Sequence, residues 1–330
     1  MPPLVTVSVP LFRCEDFIKK CLESIRIQNY PNIEVTLIND QTPDNSVQIA
    51  SDFIEKHQLN WSVLHLDKNS GLSVVRNKGI ETARGKYLFF LDSDDYITPD
   101  CIQSLVETAE NTAAEMTIAQ LECEQLETGH KSACIPILSS EKTIIGNRAI
   151  MEAFARGELV TYAVNKLLLT EFLRENKLWF VPRLFAQDEL WTFHVMLKIQ
   201  NLAILKQNTY NYVLHSKSVI HNRDRRHFDN WATIVEHFTH ALNSTKNPQI
   251  QNLIRAHIVN YKTMTLIMNW KARQDEEEWL YSFKLYKKYP DLRMQDYFSP
   301  SFSLSVKKKS LKLALPPKLA VRIFKWMYYR

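Results

Sequence analysis

The chain has 330 residues, of which 45% are hydrophobic and 23% are charged, a composition typical of soluble globular proteins. This length favours two domains, or one large domain with a smaller appendage. With 6 glycines and 11% aromatic residues, collagen-like, low-complexity and disordered chains are excluded. The net charge of +5 is concentrated near the C-terminus rather than spread over the chain, which argues against nucleic-acid binding.

The five cysteines are an odd number and show no CxxC or Cys/His ligand spacing, so we expect reduced thiols and no structural zinc. No signal-peptide pattern precedes the first predicted strand, and no apolar run is long enough to cross a bilayer. We therefore expect a cytoplasmic location.

The first hundred residues alternate strand-like and helix-like segments. Strands are predicted over residues 4–10, 34–39, 61–66 and 86–91. Helical spacing lies between them: one predicted helix begins after Asp44, interpreted as its N-cap, and another covers residues 71–83. This alternation predicts βαβ units in a mostly parallel sheet, with ligands bound beyond the carboxyl ends of the strands. Pro10, Asn39-Asp40 and Asp92-Ser93-Asp94-Asp95 lie at those ends.

Residues 116–212 mix strand and helix patterns, and helical patterns dominate from Phe228 onward. The polar stretch 221–227 is the predicted domain boundary. We expect an α/β domain over residues 1–222 and a mainly helical region over residues 223–330.

The acidic residues Asp92, Asp94 and Asp95 follow a predicted apolar strand. Clustered carboxylates repel one another unless a cation is present, and hard oxygen ligands suit Mg²⁺ or Mn²⁺. The alternative is a solvated turn in which Asp94 or Asp95 caps the helix near Pro99.

No phosphate-binding loop of the GxxxxGK[ST] or GxGxxG type is present. A nucleotide must then be held by a metal and by side chains. Asp40 can accept the imide N–H of a uracil, and the Arg76 fork can hold phosphate or ribose oxygens. The alternatives are a surface acid and a solvated helix arginine. Asp188, in Gln187-Asp188-Glu189, is either a catalytic carboxylate or a helix N-cap.

Four segments then point to one family: VSVPLFRCEDFIKKCLESIRIQNYPNIEVTLINDQTPDNS, NSGLSVVRNKGIETARGKYLFFLDSDD, NKLLLTEFLRENKLWF and AQDELW. In combination and order they resemble the family 2 glycosyltransferases of bacterial capsule and lipopolysaccharide synthesis, over about residues 4–220. The resemblance implies the GT-A fold, a Rossmann-like, mostly parallel sheet with flanking helices. It also implies a UDP-sugar donor, a glycan or lipid-linked glycan acceptor and a Mn²⁺ or Mg²⁺ cofactor.

The same resemblance implies residue roles. Pro10 and Asp40 would line the uracil site, Arg76 would contact the nucleotide, and Asp92 and Asp94 would be the DxD aspartates, with Ser93 between them at the donor. Asp94 is the expected direct metal ligand and Asp188 the general base.

The chain departs from the family at three places. Asn39 replaces the usual aspartate, which we expect to loosen nucleotide specificity, and Gln41-Thr42-Pro43 replaces Gly-Ser-Thr. Gln187 replaces the first acid of an acidic pair, which removes a like charge beside Asp188 and favours its ionised form.

Further candidates have weaker support. His215 and Ser218 match a region that closes over the diphosphate, where a histidine sometimes ligates the metal, and the loop 215–226 is the predicted lid. The alternative for His215 is a histidine on a surface loop. Trp179 and Trp191 are either acceptor-stacking or core residues. Asn165 and Lys166 match the family without an assigned role.

The implied reaction is a single in-line displacement with inversion, in which Asp188 takes the acceptor proton. The rival interpretations are a non-catalytic nucleotide-sugar or glycan binding module on the same fold and a metal-dependent phosphotransferase.

The segment 305–330 is predicted to contain a basic amphipathic helix. From residue 306 onward there are eight Lys or Arg and no Asp or Glu. A helix begun by Pro316-Pro317 would carry one basic and one apolar stripe. The basic stripe is Lys318, Arg322, Lys325 and Tyr329, and the apolar one is Leu319, Ile323, Trp326 and Met327. This pattern is typical of an anchor on an anionic membrane, here the cytoplasmic face of the inner membrane. The alternative is a helix that packs on the body or forms homo-oligomer contacts.

Overall fold

The computed structural model describes residues 1–134, 136–215 and 225–328. The strands are β1 (Val5–Leu11), β2 (Ile33–Asn39), β3 (Ser62–His65), β4 (Tyr87–Phe90), β5 (Tyr96–Ile97), β6 (Met116–Gln125), β7 (Lys131–Ala133), β8 (Thr143–Ile145), β9 (Lys166–Leu169) and β10 (Asn201–Leu214).

The helices fall into two groups along the chain. Within or close to the strand region are α1 (Ile18–Arg26), α2 (Ser46–Lys56), α3 (Leu72–Thr82), α4 (Cys101–Thr112), α5 (Asn147–Ala155), α6 (Thr170–Glu175) and α7 (Gln187–Met196). After it come α8 (Arg225–Ser244), α9 (Pro248–Arg273), α10 (Glu276–Tyr286), a 3-10 helix (Met294–Tyr297), α11 (Leu304–Ala314) and α12 (Pro317–Tyr328).

In the part of the chain that the structure describes, ten strands form one sheet with the principal order β3-β2-β1-β4-β9-β6-β10-β5. Strands β1 to β4 pair in parallel, as the βαβ pattern predicts. Beyond β4 the sheet is mixed, because β9 runs antiparallel to both β4 and β6. The predicted α/β sheet with flanking helices is thus confirmed, but parallel pairing does not dominate its second half.

The alternating apolar residues of β1 explain its central position. Val5, Val7 and Val9 are fully buried against the helices, and β1 pairs with β2 on one side and β4 on the other. Because parallel neighbours end at the same edge, the ends of these strands bring Pro10, Asp40 and the acidic segment after β4 to one side of the sheet.

One predicted cap is displaced by a residue. Helix α2 begins at Ser46 with Asn45 in the N-cap position, so the N-cap assignment of Asp44 is wrong. The Asp44 carboxylate still accepts a hydrogen bond from the Ser46 backbone N–H at 3.2 Å, so it satisfies one of the free donors at that helix end.

The cysteine prediction is wrong for one pair. Cys123 on β6 and Cys134 just after β7 form a disulfide, with their Cα atoms 5.3 Å apart. The two strands are antiparallel neighbours, which brings together residues whose spacing suggested no pairing. Cys14, Cys21 and Cys101 are free and buried.

The chain divides into two compact units. One contains Met1–Ile150 and Gly157–Ser216, and the other contains Met151–Arg156 and Lys217–Arg330. The predicted boundary at residues 221–227 falls mostly outside the described residues, and the domain limits stay a prediction. Apart from Met151–Arg156, the described part of the second unit is built from α8 to α12 and the 3-10 helix, in agreement with the helical patterns after Phe228.

Helix α12 begins at Pro317 as predicted, but its inner face differs from the predicted apolar stripe. Ala320, Val321 and Phe324 are buried, and the Phe324 ring centroid lies 4.8 Å from that of Trp279. Leu319 is 45% and Trp326 is 65% exposed. Tyr329 lies outside the described residues. Within those residues, no helix combines the length and the apolar character needed to cross a membrane.

Candidate active site

The acidic segment after β4 forms a turn that is tied to β10. The buried Asp95 carboxylate accepts hydrogen bonds from the Tyr210 hydroxyl at 2.6 Å and the Val213 N–H at 2.8 Å. Burial raises the pKa of Asp95 well above its usual value, and the charges of Asp94 and Asp92 raise it further. Asp95 therefore holds the turn in place. Helix α4 has Asp100 in the N-cap position, so the alternative in which Asp94 or Asp95 caps this helix is wrong.

Arg76 joins the acidic turn to the predicted base. Its Nη2 donates to Asp92 Oδ1 at 2.9 Å, and its Nη1 donates to Asp188 Oδ1 at 2.5 Å. The guanidinium is buried and lies 6.0 Å from the ring centroid of Phe90 and 5.5 Å from that of Phe180. Burial alone would lower the pKa of Arg76, but the two carboxylates outweigh it and the pKa is raised. One buried cation thus holds two predicted site residues together.

Burial raises the pKa of Asp92, as it does that of Asp95. The charges of Asp94 and Asp188 raise the Asp92 pKa further, and the charge of Arg76 lowers it. Extra cationic charge beside Asp92 would therefore favour its ionised form. The alternative in which Arg76 is a solvated helix arginine is wrong, because Arg76 is buried.

Asp188 lies in the first turn of α7, but it does not cap the helix. The N-cap is Ala186, in the left-handed region with a φ of 55°. The second carboxylate oxygen of Asp188 accepts the Ala163 backbone N–H at 3.0 Å, and the side chain remains 28% exposed. A carboxylate fixed at both oxygens and still open to solvent is suited to accept a proton from a substrate.

Asp94 and His215, two of the predicted metal ligands, are in contact. His215 Nε2 lies 3.1 Å from Asp94 Oδ2, and the His215 ring stacks on Phe17 at 4.6 Å between centroids. The buried Nδ1 of His215 has no hydrogen-bond partner within the described ranges. The Asp94 side chain is 40% exposed.

Two carboxylates and an imidazole fit a divalent cation chemically, and such a set suits Mn²⁺ or Mg²⁺. In the described part of the chain, no group of three or more His, Cys, Asp or Glu side chains already has metal-binding geometry. The structure thus brings Asp94 and His215 together but does not arrange Asp92 with them as a complete ligand set.

Asp40 is buried beside the N-terminus of α3. Its carboxylate accepts the Ser70 N–H at 2.6 Å and the Gly71 N–H at 2.8 Å. It is therefore not a surface turn acid, and its role in uracil recognition stays a prediction. The neighbouring Asn39 amide donates to His65 Nδ1 at 3.0 Å and accepts the Thr42 N–H at 2.9 Å, so this departure from the family pattern has a structural role.

Pro10 is half-buried at the end of β1, where it lies opposite Ile38 of β2. Ser93 is buried in the acidic turn. Both therefore lie at the strand ends as predicted, while their donor contacts stay a prediction. Ser218 lies outside the described residues, as does most of the predicted lid 215–226.

Two buried titratable groups, Lys166 and Glu189, lie near Asp188, and the sequence assigned no role to either. Lys166 is fully buried, and its Nζ has no hydrogen-bond partner in the described segments; it lies 4.5 Å from the Tyr162 ring centroid. Burial lowers its pKa to about 7. Burial also raises the pKa of Glu189 to about 7, and this carboxyl accepts the Thr161 hydroxyl at 2.9 Å. The sequence signal that could have indicated a buried lysine is the position of Lys166 in the apolar run NKLLL.

The two tryptophans differ in burial, and an acceptor-stacking role for Trp179 stays a prediction. Trp191 is a core residue, because its ring stacks on Phe180 at 4.5 Å and its Nε1 donates to the Leu178 carbonyl. Trp179 is 38% exposed. Asn165 is structural: its side-chain amide donates to the carbonyls of Ala119 and Gln120.

The model of the family described as Glycosyl transferase family 2 matches residues 6–176, and the chain belongs to this family. It is 28% identical over 276 residues to EpsH of Bacillus subtilis (strain 168), a protein assigned to the glycosyltransferases, with 82% of this chain and 78% of EpsH covered. It is 30% identical over 219 residues to the uncharacterized glycosyltransferase YibD of Escherichia coli (strain K12), with 65% and 62% covered.

Solved structures agree on the fold. Residues 1–349 of S. aureus TarS, crystallised with UDP-GlcNAc, match with a TM-score of 0.74 at 17% identity, covering 99% of this chain and 93% of that one. The mannosyltransferase PcManGT of Pyrobaculum calidifontis, in complex with GDP-Man and Mn²⁺, matches with a TM-score of 0.56 at 14% identity, covering 100% and 88%. The GT-A-like fold predicted from the sequence is confirmed, and the chain is a glycosyltransferase.

Proposed function

We propose that this glycosyltransferase moves a sugar from a UDP-sugar to a hydroxyl of a glycan or lipid-linked glycan in bacterial surface polysaccharide synthesis, with inversion at the anomeric carbon. The observation that carries the proposal is the Arg76 guanidinium, which contacts both Asp92 and Asp188. A predicted DxD aspartate and a predicted base, 96 positions apart in the chain, thus share one buried partner. This arrangement gives an open carboxylate beside the expected position of the diphosphate.

In the proposed reaction the acceptor oxygen attacks the anomeric carbon while the bond from that carbon to the diphosphate oxygen breaks. The acceptor proton passes to Asp188, and UDP leaves with the electron pair of the broken bond. Arg76 and the Ala163 N–H each bind one Asp188 oxygen, and each oxygen retains a lone pair for the acceptor hydroxyl. Because the acceptor attacks opposite to the leaving diphosphate, an α-linked donor gives a β-linked product.

Pro10, Asp40, Arg76, Asp92 and Ser93 are the proposed donor-binding residues. Asp92, Asp94 and His215 are proposed to hold Mn²⁺ or Mg²⁺, which when bound would neutralise charge on the leaving diphosphate. The Mn²⁺ in the PcManGT complex and the UDP-GlcNAc in the TarS complex support a divalent cation and a UDP-sugar as the ligands.

The names of two relatives support the product. S. aureus TarS, 25% identical over 211 residues, is named a poly(ribitol-phosphate) beta-N-acetylglucosaminyltransferase. A Bacillus spizizenii relative, 22% identical over 292 residues, is named a poly(ribitol-phosphate) beta-glucosyltransferase. The alignment spans 35% of that TarS chain and 43% of the B. spizizenii one. Both names specify a β-linked transfer to poly(ribitol-phosphate), and a β-linked product is the one expected for an inverting enzyme with an α-linked donor.

The test is slow UDP release from a panel of UDP-sugars, with Mn²⁺ and with a chelator. We expect release from one or two donors, dependent on the metal, and a large loss in Asp188→Ala. A variant at the exposed Glu171 is the matched control and should keep the rate. A binding module would bind UDP-sugar without turnover, and a phosphotransferase would yield a phosphorylated acceptor instead of UDP.

Peripheral attachment to an anionic membrane through residues 305–330 is also proposed. The exposed Leu319 and Trp326 on α12 support it, together with the lysines of the tail. Because Phe324 packs on Trp270 and Trp279, deleting the tail would expose core. Leu319→Ser with Trp326→Ser tests the proposal better: sedimentation with anionic liposomes should fall while UDP release is kept. Loss of self-association instead would favour an oligomer contact.

A further inference from the structure

The second unit contains a cavity of about 490 Å³ between helices α9, α10, α11 and α12. This volume lies within the range of small-molecule binding sites. Its walls are mainly apolar and include Met264, Trp279, Phe324 and Met327. Helices α11 and α12 of the basic C-terminal segment form part of the cavity wall. The cavity therefore exists only because this segment packs on α9 and α10.

The charged residues of this cavity all have one sign. Lys271, Lys308, Lys309 and Lys312 line it, and no Asp or Glu is among the described residues that do. Lys309 Nζ donates to Asn260 Oδ1 at 2.7 Å, whereas Lys271, Lys308 and Lys312 contact no carboxylate of the described segments. Burial and the charge of Lys312 lower the pKa of Lys309, so an anion at this rim would relieve repulsion.

We propose that this cavity binds one molecule of a phosphate-headed lipid, with its aliphatic chain among the apolar side chains and its phosphate on Lys308, Lys309 and Lys312. The apolar walls and the acid-free lysine rim match the two halves of such a molecule. This ligand site lies in the helical unit and is independent of the donor chemistry proposed above. It also differs from attachment to a membrane surface, because it is saturable by a single dissolved lipid.

Calorimetry with dodecyl phosphate below its micelle concentration tests the proposal on the full chain, with UDP-sugar absent. We expect saturable binding and a change in tryptophan fluorescence. Lys308→Met with Lys312→Met should weaken binding by about tenfold or more, since each removes a charge-assisted contact. Lys307→Met is the matched control, because Lys307 lies on the same helix but does not line the cavity, and it should change affinity by less than about twofold.

One further variant keeps the proposal falsifiable. Ile323→Trp should fill the cavity and abolish binding, with circular dichroism and UDP release reporting its fold. Equal binding of the uncharged dodecyl glucoside, equal binding of inorganic phosphate, or equal weakening by Lys307→Met would each overturn the proposal. The proposal would also be overturned if the protein self-associates, if dodecyl phosphate does not change this self-association, and if Ile323→Trp abolishes it. Loss of UDP release with intact lipid binding would concern only the proposed function.

Discussion

Replacing Asp188 by asparagine should separate its chemical role from its structural one. The amide keeps one acceptor oxygen, so it can satisfy either Arg76 or the Ala163 N–H, but not both. The unsatisfied group costs about 1–3 kcal/mol. Arg76 keeps Asp92 as a counter-charge, so the full cost of an unpaired buried charge does not arise. A protein with a typical stability of about 5–15 kcal/mol should remain folded.

The rate should fall much more than the stability. Loss of a general base typically costs about 10²–10⁴ in rate, so UDP release at saturating donor should fall by that factor while UDP affinity stays within about threefold. The assay is coupled UDP release, with calorimetry for UDP and urea denaturation for stability. The matched control is Glu189→Gln, on the next residue, whose carboxyl contacts Thr161 rather than Arg76. A rate above a tenth of the wild-type value in Asp188→Asn, or an equal loss in the control, would refute the reasoning.

Three further outcomes are expected. Burial moves the pKa of Lys166 from 10.5 to about 7, so between these values the unfolded chain binds more protons and stability rises with pH, by up to about 1.4 kcal/mol per pH unit. Lys166→Met should lose this rise, measured by urea denaturation at pH 7 and pH 9, and an unchanged slope would contradict it. Tyr210→Phe removes the hydroxyl that donates a hydrogen bond to Asp95, and it should lower the unfolding free energy by about 1–3 kcal/mol. UDP binding measured by calorimetry should weaken strongly when a chelator replaces Mn²⁺, and equal affinity in both conditions would count against the roles of Asp92 and Asp94.

The elements that could be predicted from the sequence are those set by local patterns. Runs of apolar and β-branched residues located β1, β2, β3 and β4, and helical spacing located α3, because these patterns depend on residues that are close in sequence. The same reasoning could not find the mixed half of the sheet. There the order depends on which distant strand fills each gap, and β9 enters between β4 and β6 with reversed direction.

The site was predictable as a position but not as a set of contacts. Strand ends located Asp40 and Asp92, since parallel strands end together. The Arg76 contact with Asp188 joins residues 112 positions apart, and no periodicity encodes it. Lys166 is similar: its place in an apolar run suggested burial, but its proximity to Asp188 and Glu189 follows only from the tertiary fold. Likewise, α12 could be predicted as a helix, whereas its buried face depends on Trp270 and Trp279.

The Arg76 bridge has a consequence for how the proposed site is held before substrate arrives. The charge of Asp188 raises the pKa of Asp92, and the Arg76 guanidinium between the two carboxylates lowers it. Because Arg76 is buried beneath two aromatic rings, its fork has little freedom to move, so the position of the base is fixed relative to that of the acidic turn. In the proposed in-line attack, the orientation of Asp188 would then be set by the protein before the donor binds, which would lower the entropic cost of reaching the transition state.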